Sequence, residues 1–502
     1  MKRKVYVFGL DGATWKIITP MLKNGKLPHL ARLCETGSFG NLESISPIFS
    51  PIIWTSISSG KSPLKHGITA AQLNSKMVRC KRVWDILENY GYSIGLCGHL
   101  VTWPPRKING YIIPDDLFSH GIETYPEELN FIRILADGVK NKKLTLGNYV
   151  EFLIKCLRFG IKSGSLFKAF AFMTYSKVQM YNYLERYYRL RFIKELFRND
   201  LFIALKKRYK PDYSFYYNNL VDNCCHLYWK FMEPEKFVKV PVEEVKKYNG
   251  IISAAYSKAD KFLGRVLEDI EDDAIIVVVS DHGFRAAEVT EEGWDYVIKT
   301  ENLLKRLHIT SRVSGYNLGS VTILKMKDKY KGGEADIVKM LEDITVGEEG
   351  SRLFDVSVDE FSNIHAAVRK KFKSMNGLTI NLSGTTCVFE DIIEENDAKI
   401  SGLHDLQGIF ILNGKGILKG KKIYGATVLD ITPTLLALLD MPVARDMDGK
   451  VIEEAISPDY LKDHPIKYID TYEDGRKEEE IFEDSELSEE VKERLKALGY
   501  YG

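Results

Sequence analysis

The sequence predicts an α/β protein built on a doubly wound, mostly parallel sheet, and three observations carry that expectation. Two apolar runs, Val5-Tyr6-Val7-Phe8-Gly9-Leu10 and Ile275-Ile276-Val277-Val278-Val279, have the composition of strands buried on both faces. Each run leads into side chains that favour metal ions: Asp11-Gly12 in one case, Asp281-His282-Gly283 after Ser280 in the other. Between Lys4 and Ile113, strand-like and helical patterns alternate, as βαβ units require. Sheets of this kind gather ligands in the crevice beyond the carboxyl ends of their strands, so Asp11 and Asp281 can share one site despite their separation in the chain. An Asp-Gly after a strand is by itself an ordinary turn, and it is the coincidence of the two strand ends that points to a metal centre.

The elements follow in order. After the first strand come a helix over Leu27 to Glu35 closed by Gly37, a helix over Val83 to Asn89, and a strand over Ser93 to Leu96. From about Pro114 to Lys210 the text turns basic, aromatic and helical, most clearly over Tyr181 to Phe197, and reads as an inserted helical cap. Strand text returns over Asp212 to Tyr217 and helical text over Val242 to Glu271, before the strand that ends at Ser280. A mixed stretch, about 288–397, has strand candidates at Ser320 to Leu324 and Leu378 to Leu382, and fits a small α+β insertion or the far half of the sheet. The last core segments are the run Gly408 to Leu412 and a helix read as starting at Thr432-Pro433. The expected organisation is a catalytic core in two parts, 1–113 and 211–456, with a cap insert at 114–210. A charged tail, 457–502, follows, in which Glu486 to Leu498 has the pattern of an exposed amphipathic helix.

Composition narrows the class of protein. The 502 residues are 45% hydrophobic, enough for a sizeable core. With 70 basic and 69 acidic residues there is no global field to attract nucleic acid, and no nucleic-acid partner is expected. Charge is uneven locally: Glu151 to Lys210 holds 14 Lys and Arg against 4 Asp and Glu. That segment, 151–210, could touch an anionic membrane or glycan surface, although a solvated helix face explains the same charges. No apolar stretch approaches the roughly 18 residues of a membrane span, and the basic start runs straight into a strand, so the expected location is cytoplasmic. The seven cysteines are odd in number and contain no Cys-x-x-Cys pair, which argues against a disulfide framework and a thiolate zinc site alike.

Further candidate ligands lie outside the two strand ends. Asp222 and His226, at i and i+4 on helical text, would share one helix face; His404 sits in a loop before the run that starts at Gly408. Three Asp and three His without thiolates suit Zn²⁺, with Mn²⁺ the alternative, and a pair of such ions can hold both oxygens of an in-line phosphoryl displacement. A nucleophile is available in the hydroxyl-rich segment Ser44 to Ser59, where Ser50, flanked by Pro47 and Pro51, is the choice.

These residues resemble the alkaline phosphatase superfamily, in its branch of type I phosphodiesterase and nucleotide pyrophosphatase-like proteins. The matching text is Gly9-Leu10-Asp11-Gly12, Gly25 to Leu30, Ser50-Pro51 through Trp54 to Ser59-Gly60, Pro63, His66-Gly67-Ile68 and Thr102-Trp103-Pro104-Pro105. It continues with Asp222, His226 and Trp229, Ser280-Asp281-His282-Gly283, His404 with Gly408, and Asp430-Ile431-Thr432-Pro433-Thr434. The resemblance implies an alkaline phosphatase-like core with two divalent ions, one held by Asp222, His226 and His404, the other by Asp11, Asp281 and His282. Ser50 would lie between the ions, as nucleophile and as a ligand. Ser46 also precedes a proline and offers a rival register. In the nucleotide phosphodiesterases an Asn soon after the nucleophile helps hold phosphate; here that position is Ile53. The sulfatase pattern, x-Pro-x-Arg after a Cys or Ser, is missing after Ser50.

The expected function is therefore metal-dependent hydrolysis of a phosphate mono- or diester through a covalent phosphoserine. The substrate would be a small molecule or a glycan- or lipid-linked phosphate ester. A phosphomutase or phosphotransferase would use the same site with an alcohol in place of water, and a binding protein that kept the fold without its chemistry is the reading from another class.

Overall fold

The computed structural model of the protein describes residues 2–474 apart from 47, 69–72, 117, 120, 133–145, 162–163, 165–181, 238–239, 288–295, 319–320, 348–349, 360–361, 370–376, 383 and 396–399. The proposed tail helix, Glu486 to Leu498, lies outside the described residues, as do much of the cap stretch, 133–145, 162–163 and 165–181, and Ser320 at the start of a strand candidate. The chain divides into two compact units. Among the described residues the first comprises those up to Cys225, Gly250–Arg285 and those from His404 on, the second His226–Asn249 and Ala286–Leu403.

The first unit is built on one eight-stranded sheet. Its strands in chain order are β1 (Val5–Leu10), β2 (Ser38–Glu43), β3 (Ile94–Cys97), β4 (Gly110–Ile113), β5 (Tyr213–Asn218), β6 (Ile275–Val279), β7 (Gln407–Asn413) and β8 (Lys421–Thr427). In space they run β8-β2-β7-β6-β1-β5-β3-β4, and the apolar runs of β1 and β6 are adjacent at the centre. All neighbours are parallel except β7, which is antiparallel to both β6 and β2. The run Gly408 to Leu412 is therefore a core strand in the direction opposite to the other seven.

Helices cover both faces, and the two-residue period of β5 shows how. Phe215 and Tyr217 point to one face, where their rings meet Trp54 of the helix Ser50–Ser59 at 5.7 and 5.5 Å. Tyr216 points to the other, against Phe202 of the helix Tyr183–Tyr209 at 5.1 Å and Phe262 of the helix Ile251–Leu267 at 4.5 Å. The helix Tyr183–Tyr209 falls within the stretch read as a cap, but Leu201, Phe202 and Leu205 in its second half are buried, with Phe202 packed on the sheet.

Two local readings shift. Helical text over Val242 to Glu271 forms two helices, Val242–Tyr248 and Ile251–Leu267, because Asn249-Gly250 is a poor helix interior. The helix expected at Thr432 runs Ile431–Leu438 after a 3₁₀ turn, Val428–Asp430. A capping box sets this start: the Thr427 N–H donates to the Asp430 carboxylate at 2.8 Å. All seven cysteines are buried and unpaired. Among the described residues no helix is long and apolar enough to cross a membrane.

The second unit has its own core. Two four-stranded antiparallel sheets contain Val313–Leu318 and Val321–Met326 in one and Thr379–Leu382 and Thr385–Val388 in the other. Ile298, Leu303, Leu324, Ile337, Ile380 and Phe389 are among its buried residues.

Candidate metal centre

The sheet's direction explains why the ligands converge. β1 ends at Leu10 and delivers Asp11; β6 ends at Val279 and delivers Asp281 and His282; β5 ends at Asn218, just before the helix Leu220–Met232 that carries Asp222. Because β7 is antiparallel, its first residues lie at the carboxyl edge of the others, so His404, three residues before it, arrives at the same edge. β2 also ends there, and the chain continues from Glu43 to Ser50, the first residue of the helix Ser50–Ser59.

The turns are tied together locally. The Asp11 N–H donates to the Asn218 carbonyl at 2.9 Å. Ser280 Oγ accepts the Ala13 N–H at 2.8 Å and donates to the His282 carbonyl at 2.6 Å, joining the β1 and β6 turns. Gly12 has φ +70°, and a Cβ there would lie 2.5 Å from the Phe284 ring. Only glycine fits this crossing.

Two groups of three side chains each bring one ligand atom within 4.8 Å of the others: Asp11, Asp281 and His282, and Asp222, His282 and His404. His282 belongs to both. Its Nε2 lies 3.2 Å from Asp11 Oδ1 and 3.5 Å from Asp281 Oδ2, while its Nδ1 faces the Gly283 carbonyl at 3.0 Å. His404 Nε2 lies 3.5 Å from Asp222 Oδ1, and the two imidazoles stack with centroids 3.8 Å apart. His226 falls in the second unit, where its Nδ1 faces the Gly402 carbonyl at 3.1 Å. A carbonyl at Nδ1 favours the tautomer with the proton there, which leaves the Nε2 lone pair free to accept.

The donor set fits divalent ions. Asp281 is fully buried, and neither of its carboxylate oxygens has a regular hydrogen bond among the described residues. An ionised carboxylate so placed is costly unless a cation or proton faces it. Burial first, then the neighbouring Asp11 charge, pushes the Asp281 pKa up. Burial disfavours the His282 imidazolium, but the Asp281 and Asp11 charges outweigh that, and its pKa is pushed up to about 10. A proton on His282 and a metal ion would therefore compete for the same negative pocket.

Ser50 is 2% exposed, and its Oγ lies 3.4 Å from Nε2 of His282, the residue that both groups share. Ser46, the rival, is exposed. Ile53 is fully buried, and its aliphatic side chain has no donor to offer a phosphate oxygen. One residue at the centre had no signal in the sequence: the Tyr217 hydroxyl donates to Asp11 Oδ2. As text, Tyr217 is one of several aromatics in a strand.

An α/β sheet that brings carboxylates, imidazoles and a buried serine to its carboxyl edge suits phosphoester hydrolysis. The chain belongs to the type I phosphodiesterase / nucleotide pyrophosphatase family, whose sequence profile matches residues 5–374. These are metal-dependent hydrolases of phosphodiester and pyrophosphate bonds. Among solved structures, human ectonucleotide pyrophosphatase/phosphodiesterase 5 aligns over 92% of this chain and 99% of its own, with 13% identity and a TM-score of 0.47. A comparison with curated proteins found no match.

Proposed function

We propose that the protein is a two-metal phosphoesterase that cleaves a small phosphate ester through a covalent phosphoserine at Ser50. The observation that carries this reading is the position of the buried Ser50 Oγ, 3.4 Å from the one imidazole common to both ligand groups. Asp11, Asp281 and His282 would hold one divalent ion, and Asp222 and His404 the other, with Zn²⁺ the expected metal. Bound there, the ions would supply positive charge that favours the ionised serine and the phosphoryl oxygens.

Ser50 Oγ attacks phosphorus, forming the Oγ–P bond as the bond to the leaving oxygen breaks; that oxygen leaves with a proton from solvent. Water then attacks phosphorus, the Oγ–P bond breaks, and the serine regains its proton. Ser50 is the first residue of a ten-residue helix, so the phosphorylated side chain would sit at the positive end of the helix dipole. Each of the ten is buried, which fixes the attacking oxygen.

The test is a panel of nitrophenyl phosphate monoesters, diesters and nucleotide pyrophosphates assayed with Zn²⁺, Mn²⁺ and Mg²⁺, followed by acid quench and peptide mass spectrometry. A phosphorylated Ser50 peptide during turnover is expected. Turnover with phosphate on another residue, or on none, would sink the covalent reading.

A further inference from the structure

We infer that Tyr217 is a positioning residue that makes Asp11 a one-oxygen ligand, presenting Oδ1 to a cation by occupying Oδ2. The inference rests on the two-metal reading and adds the residue that sets the geometry of one half of the site.

β5 runs parallel to β1 with Tyr217 opposite Gly9 and Asn218 opposite Leu10. A tyrosine at position 217 is long enough to reach past the end of β1, and its hydroxyl donates to Asp11 Oδ2. The other oxygen, Oδ1, is buried without a hydrogen bond of regular geometry among the described residues and lies 3.2 Å from His282 Nε2. A carboxylate held by neither oxygen could turn about its own axis or chelate with both oxygens; the hydroxyl removes both freedoms.

The tyrosine is itself held. It is 1% exposed, and its ring stands edge-on to Trp54 at 5.5 Å and 89°. Trp54 lies on the helix that opens with Ser50, and it sits so close to β1 that a Cβ on Gly9 would come within 2.6 Å of it. Arg198 donates to the Tyr217 carbonyl at 2.7 Å. One side chain therefore touches the nucleophile's helix through its ring and the ligand Asp11 through its hydroxyl. The preceding residue supplies a control, since Tyr216 points to the other face and gives its hydroxyl to Glu195 and Asn199 at 2.6 Å each.

Tyr217→Phe removes the hydroxyl and keeps the ring. Full-length protein stripped of metal is titrated with Zn²⁺ against a chelating dye, with Tyr216→Phe and Asp11→Ala alongside. Tyr217→Phe should weaken one of two ions by about 10–100-fold and leave the other unchanged. Its melting temperature without metal should shift no more than that of Tyr216→Phe, and the change should have no further effect in an Asp11→Ala background. Both ions bound with wild-type affinity would overturn the inference, as would equal weakening of both together with lost stability. If wild-type protein binds no ion, the two-metal reading falls and takes the inference with it. Two ions bound equally well by wild type and Tyr217→Phe would sink the inference alone.

Discussion

Ser50 and His282 face each other at 3.4 Å, and everything proposed for the chemistry depends on which hydroxyl occupies that place. Ser50→Ala should lower turnover on the order of 10³-fold or more, because loss of a covalent nucleophile removes the pathway it opens. Metal content, read by plasma mass spectrometry, should stay near that of wild type, since the Asp and His side chains remain. Ser46→Ala is the comparison: Ser46 is exposed, and its removal should leave the rate within a small factor of wild type. The opposite result for the pair would move the nucleophile to Ser46. At this scale the sequence picked out Asp11, Asp222, Asp281, His282, His404 and Ser50, which stand at one edge of the sheet, and His226, which falls in the second unit. It could not show that His282 would be shared by both groups.

The turns at strand ends decide whether those side chains meet. Gly12 sits where the chain leaving β1 crosses Phe284 and the Asp222 backbone; a Cβ would lie 2.5 Å from the Phe284 ring and 3.2 Å from the Asp222 Cα. Its φ of +70° adds a backbone penalty for any other residue, about 1–2 kcal/mol. Gly12→Ala should lower the denaturant midpoint by more than that backbone penalty alone implies, and should weaken metal binding too, since Asp11 and Asp222 flank the contact. Retained metal affinity alongside lower stability would show that the turn is only structural. The helix Ile431–Leu438 depends on Asp430 in a comparable way. One carboxylate oxygen accepts from Thr427 N–H and Oγ1 at 2.8 and 3.0 Å, and the other from Lys450 N–H at 2.8 Å. Asp430→Ala leaves those donors without their acceptor and should cost about 1–3 kcal/mol in urea denaturation, with little effect on metal affinity.

Across the whole molecule, two histidines outside the set of metal candidates link stability to pH. His66 is fully buried, accepts the Ile68 N–H on Nδ1 at 3.1 Å, and has its pKa lowered to about 3, chiefly by burial. His99 is enclosed by the rings of Trp54, Trp84 and Phe215, and burial likewise lowers its pKa to about 3. Both stay neutral in the folded state at pH values where the unfolded chain takes up a proton. Their contribution is therefore complete above about pH 6.5 and is lost as pH falls towards 3, at up to about 1.4 kcal/mol per pH unit for each. Trp54 and Trp84 lie against His99, so tryptophan fluorescence across a denaturant series reports on this region. Stability should fall between pH 6.5 and 4, and His99→Phe should flatten the slope. An unchanged slope in that variant would show that other groups control acid unfolding.

The central strands, the alternation around them and the acidic and imidazole residues at their ends were legible in the text because local composition encodes burial, and burial on both faces forces an unbroken apolar run. Where neighbours decide, the text is silent. Gly408 to Leu412 reads as a core strand in either direction; only pairing with β6 and β2 makes it antiparallel and so brings His404 to the ligand edge. The second half of the helix Tyr183–Tyr209 looks basic and external, yet Phe202 packs against Tyr216 of the sheet. Tyr217 is one aromatic among many until β5 lies beside β1 in register. Sequence fixes what each segment must bury, whereas contacts between segments far apart in the chain depend on strand order, direction and register, which exist only once the sheet has assembled.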